Sequence, residues 1–468
     1  MNGKDILLAL NDIPEEMIEE AESKAVRKRF PVKHLLPLAA CLCVIIGIAG
    51  AFLPELAGET AAMDSAAPEN GMALESISDV SRQEMATAAE NGYGRVTDFL
   101  YDDPADALTD FGIRLLQNIP KNGQNTLISP LSVIYALGMT ANGAEGQTLT
   151  QMETALGISV EELNPWLSAY TGQLAQEEGN RLLPANGIWY RNSGFTAENS
   201  FLEVNRTYYQ AEIHGSAFDQ DTLAQINNWV NDKTLGMIPS ILDQIRQEDM
   251  LYLINALAFE AEWEIPYTQQ QVSRDIFHTA DCKETEVEYL SGKERAYVEG
   301  ANFTGFIKYY TDRRYAFVAL LPNEDVTVES LIASLDAQEL RQLLLSPEQV
   351  TVHTSIPKFR TETSLELSAT LKAMGMELAF DSGKADFTSM GITATNDNLH
   401  ISKILHKTFL QLDELGTRAG AVTAMIMGSN RLETDSKTVT LDRPFVYMLV
   451  DCEQQLPFFI GYLMNPEA

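Results

Sequence analysis

The sequence is poor in basic residues, cysteine and histidine, and each shortage excludes a class of protein. Lysine and arginine number 33 against 66 aspartate and glutamate, giving a formal net charge of −33. This charge argues against a nucleic-acid partner and against a broad basic face on anionic lipid. Four cysteines are too few for a disulfide-dense scaffold, and the six histidines show no metal-ligand spacing.

The common catalytic motifs are missing as well. The chain contains no CxxC, HExxH, GxGxxG or GxSxG sequence and no phosphate-binding P-loop. We therefore predict no enzymatic activity, no cofactor and no metal. The composition, 45 % apolar and 21 % charged over 468 residues, is nevertheless that of a globular protein with a sizeable core.

The N-terminal part of the chain differs in composition from the rest. Residues 1–34 are charged and predict a short cytoplasmic tail. Residues 35–53 carry no charge, and as a helix they would extend about 28 Å, close to the hydrocarbon thickness of a bilayer. Basic residues before this segment and acids after it predict a signal-anchor with the C-terminal bulk outside the cell. Residues 54–94, rich in alanine, serine and acids, predict a disordered tether.

These features lead us to expect a bacterial, single-pass membrane protein at the cell surface. A signal peptide that is cleaved, with secretion of the remainder, is the alternative. Either way, residues 95–468 are predicted to form the folded domain.

Within this domain, helical periodicity comes first and strand patterns dominate later. Apolar residues at helical spacing predict helices near residues 108–116, 134–139, 225–230 and 364–374. Alternating or apolar β-rich stretches predict strands at residues 251–254, 316–321, 350–356, 445–450 and 458–463. This order favours an α+β fold with mostly antiparallel sheets.

The stretch 408–441 is the most informative about function. A predicted strand at 408–412 is followed by Glu414 and Gly416, and then by eleven residues that alternate with period two. One face of this run holds only small or uncharged side chains, namely Thr417, Ala419, Ala421, Thr423, Met425 and Met427. Its single charge, Arg418, falls on the other face, so the first face is suited to burial in a sheet. The pattern alone favours a small-residue helix or an ordinary strand with a long hairpin loop.

Further motifs occur in a fixed order along the domain. They are 125–132 with Gly143, 227–230 with 234–238, Asn255 with Phe259 and Trp263, 356–359, 385–387, 406–407, 443–445 and 459–466. Together with Glu414, Gly416, Thr417, Ala419 and Ala421, they resemble the serpins, a family of protease-trapping inhibitors, over nearly all of residues 98–468. The resemblance implies three mainly antiparallel sheets, eight or nine helices and an exposed reactive-centre loop.

The resemblance also implies a mechanism. A serine protease attacks the loop and forms an acyl-enzyme, and the cut loop then inserts into the central sheet and traps the protease covalently. We expect a monomeric domain with a serine protease as its partner. A serpin-fold binding protein that does not inhibit, or a serpin directed at cysteine proteases, are the alternatives.

The family's functional positions carry over to residues of this chain. The hinge of the loop corresponds to Glu414, Gly416, Thr417, Ala419, Gly420, Ala421, Val422 and Thr423. The point of loop entry, called the breach, corresponds to Trp263 and to a salt bridge between Lys358 and Glu414. A buried polar network that gates the strands, called the shutter, corresponds to Ser129, Ser132, Asn255 and His406.

The scissile bond is predicted from family spacing and from side-chain chemistry, which disagree. Spacing from Gly416 places the bond between Asn430 and Arg431. The apolar run ending at Met427 favours a cut at Met427-Gly428 by an elastase-like protease, whereas Arg431-Leu432 would suit a trypsin-like one. We expect an elastase-like target and a cut between Met427 and Arg431, with the bond after Asn430 as the formal assignment.

Overall fold

In this computed structural model, residues 101–467 are described, apart from 102, 175, 178–179, 396 and 418–435. These described residues fall in a single unit, Gly92–Ala468. Its core is one large apolar cluster, with a smaller one around Trp189 and Ile226.

Nine α-helices form in this part of the chain. They are α1 (Pro104–Asn118), α2 (Pro130–Ala141), α3 (Gly146–Leu156), α4 (Val160–Gln173), α5 (Asn199–Tyr209), α6 (Gln220–Lys233), α7 (Val328–Ser334), α8 (Ala337–Leu345) and α9 (Ser368–Ala373). Their ends follow local chemistry. Asp103 and Ser129 cap α1 and α2 through side-chain oxygens, and a proline follows each cap at the first helical position. Gly157 ends α3 in the left-handed conformation at φ 76°.

Eighteen strands are described. They are β1 (Thr126–Ile128), β2 (Gln176–Glu177), β3 (Asn180–Arg191), β4 (Phe195–Ala197), β5 (Glu212–Ser216), β6 (Leu251–Glu262), β7 (Val272–His278), β8 (Glu284–Glu299), β9 (Phe303–Tyr309), β10 (Tyr315–Pro322), β11 (Glu348–Pro357), β12 (Phe359–Glu366), β13 (Gly391–Thr393), β14 (Leu405–Leu412), β15 (Gly416–Thr417), β16 (Ser436–Thr440), β17 (Phe445–Asp451) and β18 (Leu456–Leu463).

The strands form three sheets in the described residues. A nine-stranded sheet has the order β1-β18-β17-β10-β9-β8-β11-β16, with β7 beside β8. A seven-stranded sheet has the order β12-β14-β15-β6-β3-β2, with β5 beside β3, and β4 pairs with β13. All pairs are antiparallel except β11 with β16 and β3 with β5. The predicted α+β class with three mainly antiparallel sheets is confirmed.

One predicted helix is wrong in part. Residues 364–374 were expected to be helical, but 364–366 end strand β12 and only Ser368–Ala373 is α-helix. Along β12, Phe359, Thr361 and Thr363 are buried and alternate with exposed neighbours. This period-two alternation continues the strand to Glu366, past the residue at which the predicted helix begins.

The predicted membrane localisation is corrected. None of the described helices combines the length and apolar character needed to cross a bilayer. The longest, α1, has 15 residues, about 22 Å against a hydrocarbon core of about 30 Å. The expectation of a single-pass membrane protein at the cell surface therefore has no support in the structure. Residues 35–53, on which that expectation depended, lie outside the described residues.

A buried charge joins helix α4 to the nine-stranded sheet. Asp451 at the end of β17 is fully buried and lies 3.4 Å from the Arg314 guanidinium. The carboxylate also accepts a hydrogen bond from the Tyr170 hydroxyl of α4 at 3.2 Å, and Arg314 donates to the carbonyl of Gln173. Arg314 therefore compensates a charge that has no access to water.

Replacing Arg314 by leucine should destabilise the fold. Removing one partner of a buried ion pair leaves the other uncompensated, so we expect Arg314→Leu to lower the free energy of unfolding by about 3 kcal/mol. Urea denaturation measures the change. The matched control is Glu453→Gln, because Glu453 is a largely exposed partner of the same arginine, and it should change stability by less than about 0.5 kcal/mol. Equal effects of the two substitutions would contradict the assignment.

Candidate functional site

The seven-stranded sheet contains an open slot between its two central strands. Strand β6 pairs with β3 along its whole length on one side, but on the other side only residues 261–262 have a partner. Strand β14 pairs with β12 throughout and with β15 only at Leu412. Among the described residues, β6 and β14 therefore share no direct pairing below β15.

A cavity of about 610 Å³ lies in this slot. Its walls are the lower halves of β6 and β14, the helix α2 beneath them, and residues 238–250 and 397–404 at the lower end. The facing backbone N–H and C=O groups of β6 and β14 have no strand partner there. Unpaired main-chain groups within a sheet are a template for a further strand.

The short strand β15 occupies the top of the slot. Thr417 pairs with Ala261 of β6 and with Leu412 of β14, and Gly416 pairs with Glu262. A Cβ atom on Gly416 would lie 2.1 Å from the Ala261 carbonyl oxygen. Only glycine allows this close approach, which explains the residue type at the start of the predicted hinge.

Main-chain and indole groups hold the segment that leads into β15. The Trp263 indole Nε1–H donates to the Asp413 carbonyl at 2.9 Å, and its backbone N–H donates to the Leu415 carbonyl at 2.8 Å. The Tyr267 backbone N–H donates to the Glu414 carbonyl at 2.9 Å. Trp263 is 1 % exposed, so these bonds are shielded from competing water.

Lys358 contacts two carboxylates at the same place. Its Nζ lies 2.9 Å from Glu414, as the resemblance implied, and also 2.9 Å from Glu288 of β8. The hydrogen bond to Lys358 holds the pKa of Glu288 below its ordinary value. About a quarter of the Lys358 and Glu414 side chains is exposed, and an ion pair of that kind contributes at most about 1 kcal/mol. The buried bonds around Trp263 therefore anchor this segment more firmly.

A buried cation lies against the aromatic rings of Trp263 and Tyr267. Lys308 of β9 is 3 % exposed, and its Nζ lies 5.1 Å from the ring centre of Trp263 and 4.4 Å from that of Tyr267. Glu294 of β8 accepts from this ammonium group at 2.8 Å. Burial raises the pKa of Glu294, against the opposing effect of Lys308. The paired charge and the two rings form one desolvated unit.

Three of the predicted shutter residues form a hydrogen-bonded network behind the sheet. The Ser129 backbone N–H donates to His406 Nε2 at 3.0 Å, and the Ser129 hydroxyl donates to the Phe458 carbonyl at 2.9 Å. The Ser132 backbone N–H donates to the Ser129 hydroxyl oxygen. The network thus ties β14 to the start of α2 and to β18.

Asn255 does not join this network. Its side-chain amide donates to Asn186 Oδ1 of the neighbouring strand at 2.9 Å, while its own Oδ1 is buried without a hydrogen-bond partner. Asn255 and His406 both line the cavity. The polar contact that would join β6 to β14 at this level is therefore not made.

The remaining predicted site residues lie outside the described residues. They are Ala419, Gly420, Ala421, Val422 and Thr423 of the hinge, and Met427, Gly428, Asn430, Arg431 and Leu432 at the reactive bond. Their roles stay predictions.

Five residues of the site escaped the sequence analysis. They are Tyr267, Glu288, Glu294 and Lys308, and also Tyr310, whose ring stacks on Trp263. One of them carried a signal, because Lys308 is the single charge in the largely aromatic stretch 303–310. A charge in a buried strand requires a partner of opposite sign, but the sequence does not show that Glu294 supplies it.

Comparisons with known proteins agree with this geometry. Residues 106–466 match the family model described as serpin (serine protease inhibitor). Serpin B10 of Otolemur garnettii is 28 % identical over 401 residues, covering 78 % of this chain and 100 % of that protein. Serpin-ZXA of Oryza sativa subsp. japonica is 29 % identical over 366 residues, covering 74 % of this chain and 91 % of that protein.

A solved structure shows the same fold at higher identity. The crystal structure of the thermophilic serpin tengpin in its native state has a TM-score of 0.74 and 42 % sequence identity, over 81 % of this chain and 98 % of that chain. Because the family model covers most of the sequence, this chain belongs to the serpins. It is thus a member of a family of protease inhibitors rather than of enzymes.

Acid should weaken the fold through His406. Burial lowers the pKa of His406 to about 4, against about 6.5 in an unfolded chain. Between these values the unfolded state binds a proton that the native state does not. Stability should therefore fall as the pH drops from about 6.5 to 4, by about 3 kcal/mol from this group.

Unfolding by urea at a series of pH values measures this contribution. His406→Gln keeps an acceptor for the Ser129 N–H but cannot titrate, so its stability should depend less on pH across this window. Parallel pH profiles for the wild type and His406→Gln would show that the assignment is wrong.

Proposed function

We propose that this serpin inhibits a serine protease by inserting its own cleaved loop into the slot between β6 and β14. The protease would attack the segment 418–435 and form an acyl-enzyme. Release of the cut end would let the chain following Thr417 enter the slot as a new strand. The attached protease would be carried along and distorted before its ester is hydrolysed.

The observation that carries this proposal is the position of Gly416 and Thr417. They already lie between β14 and β6 in antiparallel register with β6. The slot below them is lined on both sides by unpaired strand edges. A strand that continued from Thr417 would satisfy these groups, at about 1 kcal/mol net for each hydrogen bond.

The sequence of the segment favours insertion into the sheet over exposure as a surface loop alone. Thr417 is buried, and the period-two pattern places Ala419, Ala421, Thr423, Met425 and Met427 on the same face as Thr417. None of these side chains is charged, so the face can be buried over α2 without an unpaired charge. Arg418 would face outward.

The choice of target follows from the residues near the end of the alternating run. Met425, Ile426 and Met427 are medium-sized apolar side chains, suited to an elastase-like specificity pocket. The formal reactive bond is Asn430-Arg431, with Met427-Gly428 and Arg431-Leu432 as neighbouring candidates. We propose an elastase-like serine protease as the target.

A pair of aspartate substitutions tests the insertion mechanism. Ala421→Asp should convert the inhibitor into a substrate, because a carboxylate on the inward face would be buried without a partner at a cost of several kcal/mol. The matched control, Val422→Asp, places the same charge on the outward face and should keep most of the inhibition. Incubation with elastase-like and trypsin-like proteases, followed by denaturing electrophoresis, measures the covalent adduct.

The outcomes are distinct. A stable adduct for the wild type and Val422→Asp, with cleavage but no adduct for Ala421→Asp, is expected. Absence of any adduct from the wild type across the panel would contradict the inhibitory proposal.

The reactive bond can be located by mass spectrometry of the fragment released from the adduct. We expect the C-terminal fragment to begin at a residue within 428–432, and at Arg431 for the formal assignment. A fragment beginning at Leu432, together with inhibition of trypsin, would change the target class. A fragment that begins outside 428–432 would contradict the assignment.

A further inference from the structure

Thr417 is anchored by a side-chain contact as well as by backbone pairing. Its hydroxyl lies 2.5 Å from the hydroxyl of Tyr310, and one donates to the other. Thr417 is 3 % exposed and Tyr310 is fully buried. A buried hydroxyl without a partner is costly, so each of these groups depends on the other.

The surroundings of Tyr310 fix the position of its hydroxyl. Its ring stacks on Trp263 with 4.3 Å between ring centres and an interplanar angle of 10°, and Phe259 meets it edge-on at 5.3 Å. The Trp263 ring in turn contacts the Lys308 ammonium group. Tyr310 is therefore held by packing that does not involve β15. Its hydroxyl is a preformed hydrogen-bonding group at the top of the slot.

From this geometry we infer that Tyr310 is a positioning residue that holds Thr417 in the sheet of the uncleaved protein. The first residue of the incoming strand is then in place before a protease arrives, and insertion continues from an existing register. The inference rests on the proposed function only in taking Gly416-Thr417 as the start of the hinge. The contact itself belongs to the intact chain.

Hydrogen exchange of the Gly416 and Thr417 amides in the intact protein tests this role. Tyr310→Phe keeps the stacked ring and removes only the hydroxyl. Loss of one net hydrogen bond should make local opening about fivefold more frequent, and exchange of these amides correspondingly faster. Thr417→Val should give a similar increase, and the double variant should exceed neither single variant by more than about twofold.

Two controls separate positioning from general packing. Tyr309→Phe removes a hydroxyl from the neighbouring, half-buried tyrosine and should leave the exchange rates unchanged. Thr417→Ser retains the hydroxyl and should exchange within about twofold of the wild type. If Tyr310→Phe fails to fold, judged by near-ultraviolet circular dichroism, the comparison of Thr417→Val with Thr417→Ser decides alone.

Two results would overturn the inference. One is that the Gly416 and Thr417 amides of Tyr310→Phe exchange at the wild-type rate, or that those of Thr417→Val and Thr417→Ser both do. The other is full multiplication of the two single effects in the double variant, which would show that the hydroxyls act independently. No protease takes part, so these results differ from a failure of the proposed function, which would appear as missing adducts with the exchange pattern intact.

Discussion

The candidate site depends on main-chain hydrogen-bonding groups that the seven-stranded sheet leaves unpaired. The strands β6 and β14 each have a complete neighbour on one side and an open edge on the other, in the middle of a seven-stranded sheet. Paired backbone groups are the rule in protein interiors. Two facing open edges therefore represent hydrogen-bonding capacity that the sheet of the native fold leaves unused.

Different interactions act at the top of the slot and lower down. At the top, buried aromatic rings, the Lys308–Glu294 pair and backbone bonds hold the chain entering β15 in one position. Lower down, the serine–histidine network fixes β14 to α2 and β18, while the unsatisfied Asn255 oxygen on β6 faces no partner. The top is thus held by many buried contacts, whereas lower down one buried amide oxygen has no hydrogen-bond partner.

The sequence predicted the parts of this site that are continuous in the chain. Glu414, Gly416 and Thr417 were visible because neighbouring residues decide them, and so were the six strands predicted at 251–254, 316–321, 350–356, 408–412, 445–450 and 458–463. Glu288, Glu294 and Tyr310 were not visible, because their contacts depend on the register of β8 and β9 with distant segments. Asn255 was assigned to a network that it does not join, since a motif gives the residue type but not the separation of β6 from β14. The helix expected at 364–374 was partly wrong because a strand with period two and a helix with period 3.6 share positions over a short stretch.

The length of strand β6 can also be compared with the number of residues between Thr417 and the cut. Thr417 lies opposite Ala261 in antiparallel register, and β6 begins ten residues earlier, at Leu251. If the same register continued, Met427 would lie opposite that first residue. A loop cut before Met427 would leave the lower end of the slot empty, whereas a cut at Met427 or beyond would supply a strand as long as β6. Under the proposed insertion, the length of one scaffold strand would limit where a productive cut can fall, independently of the specificity of the protease that makes it.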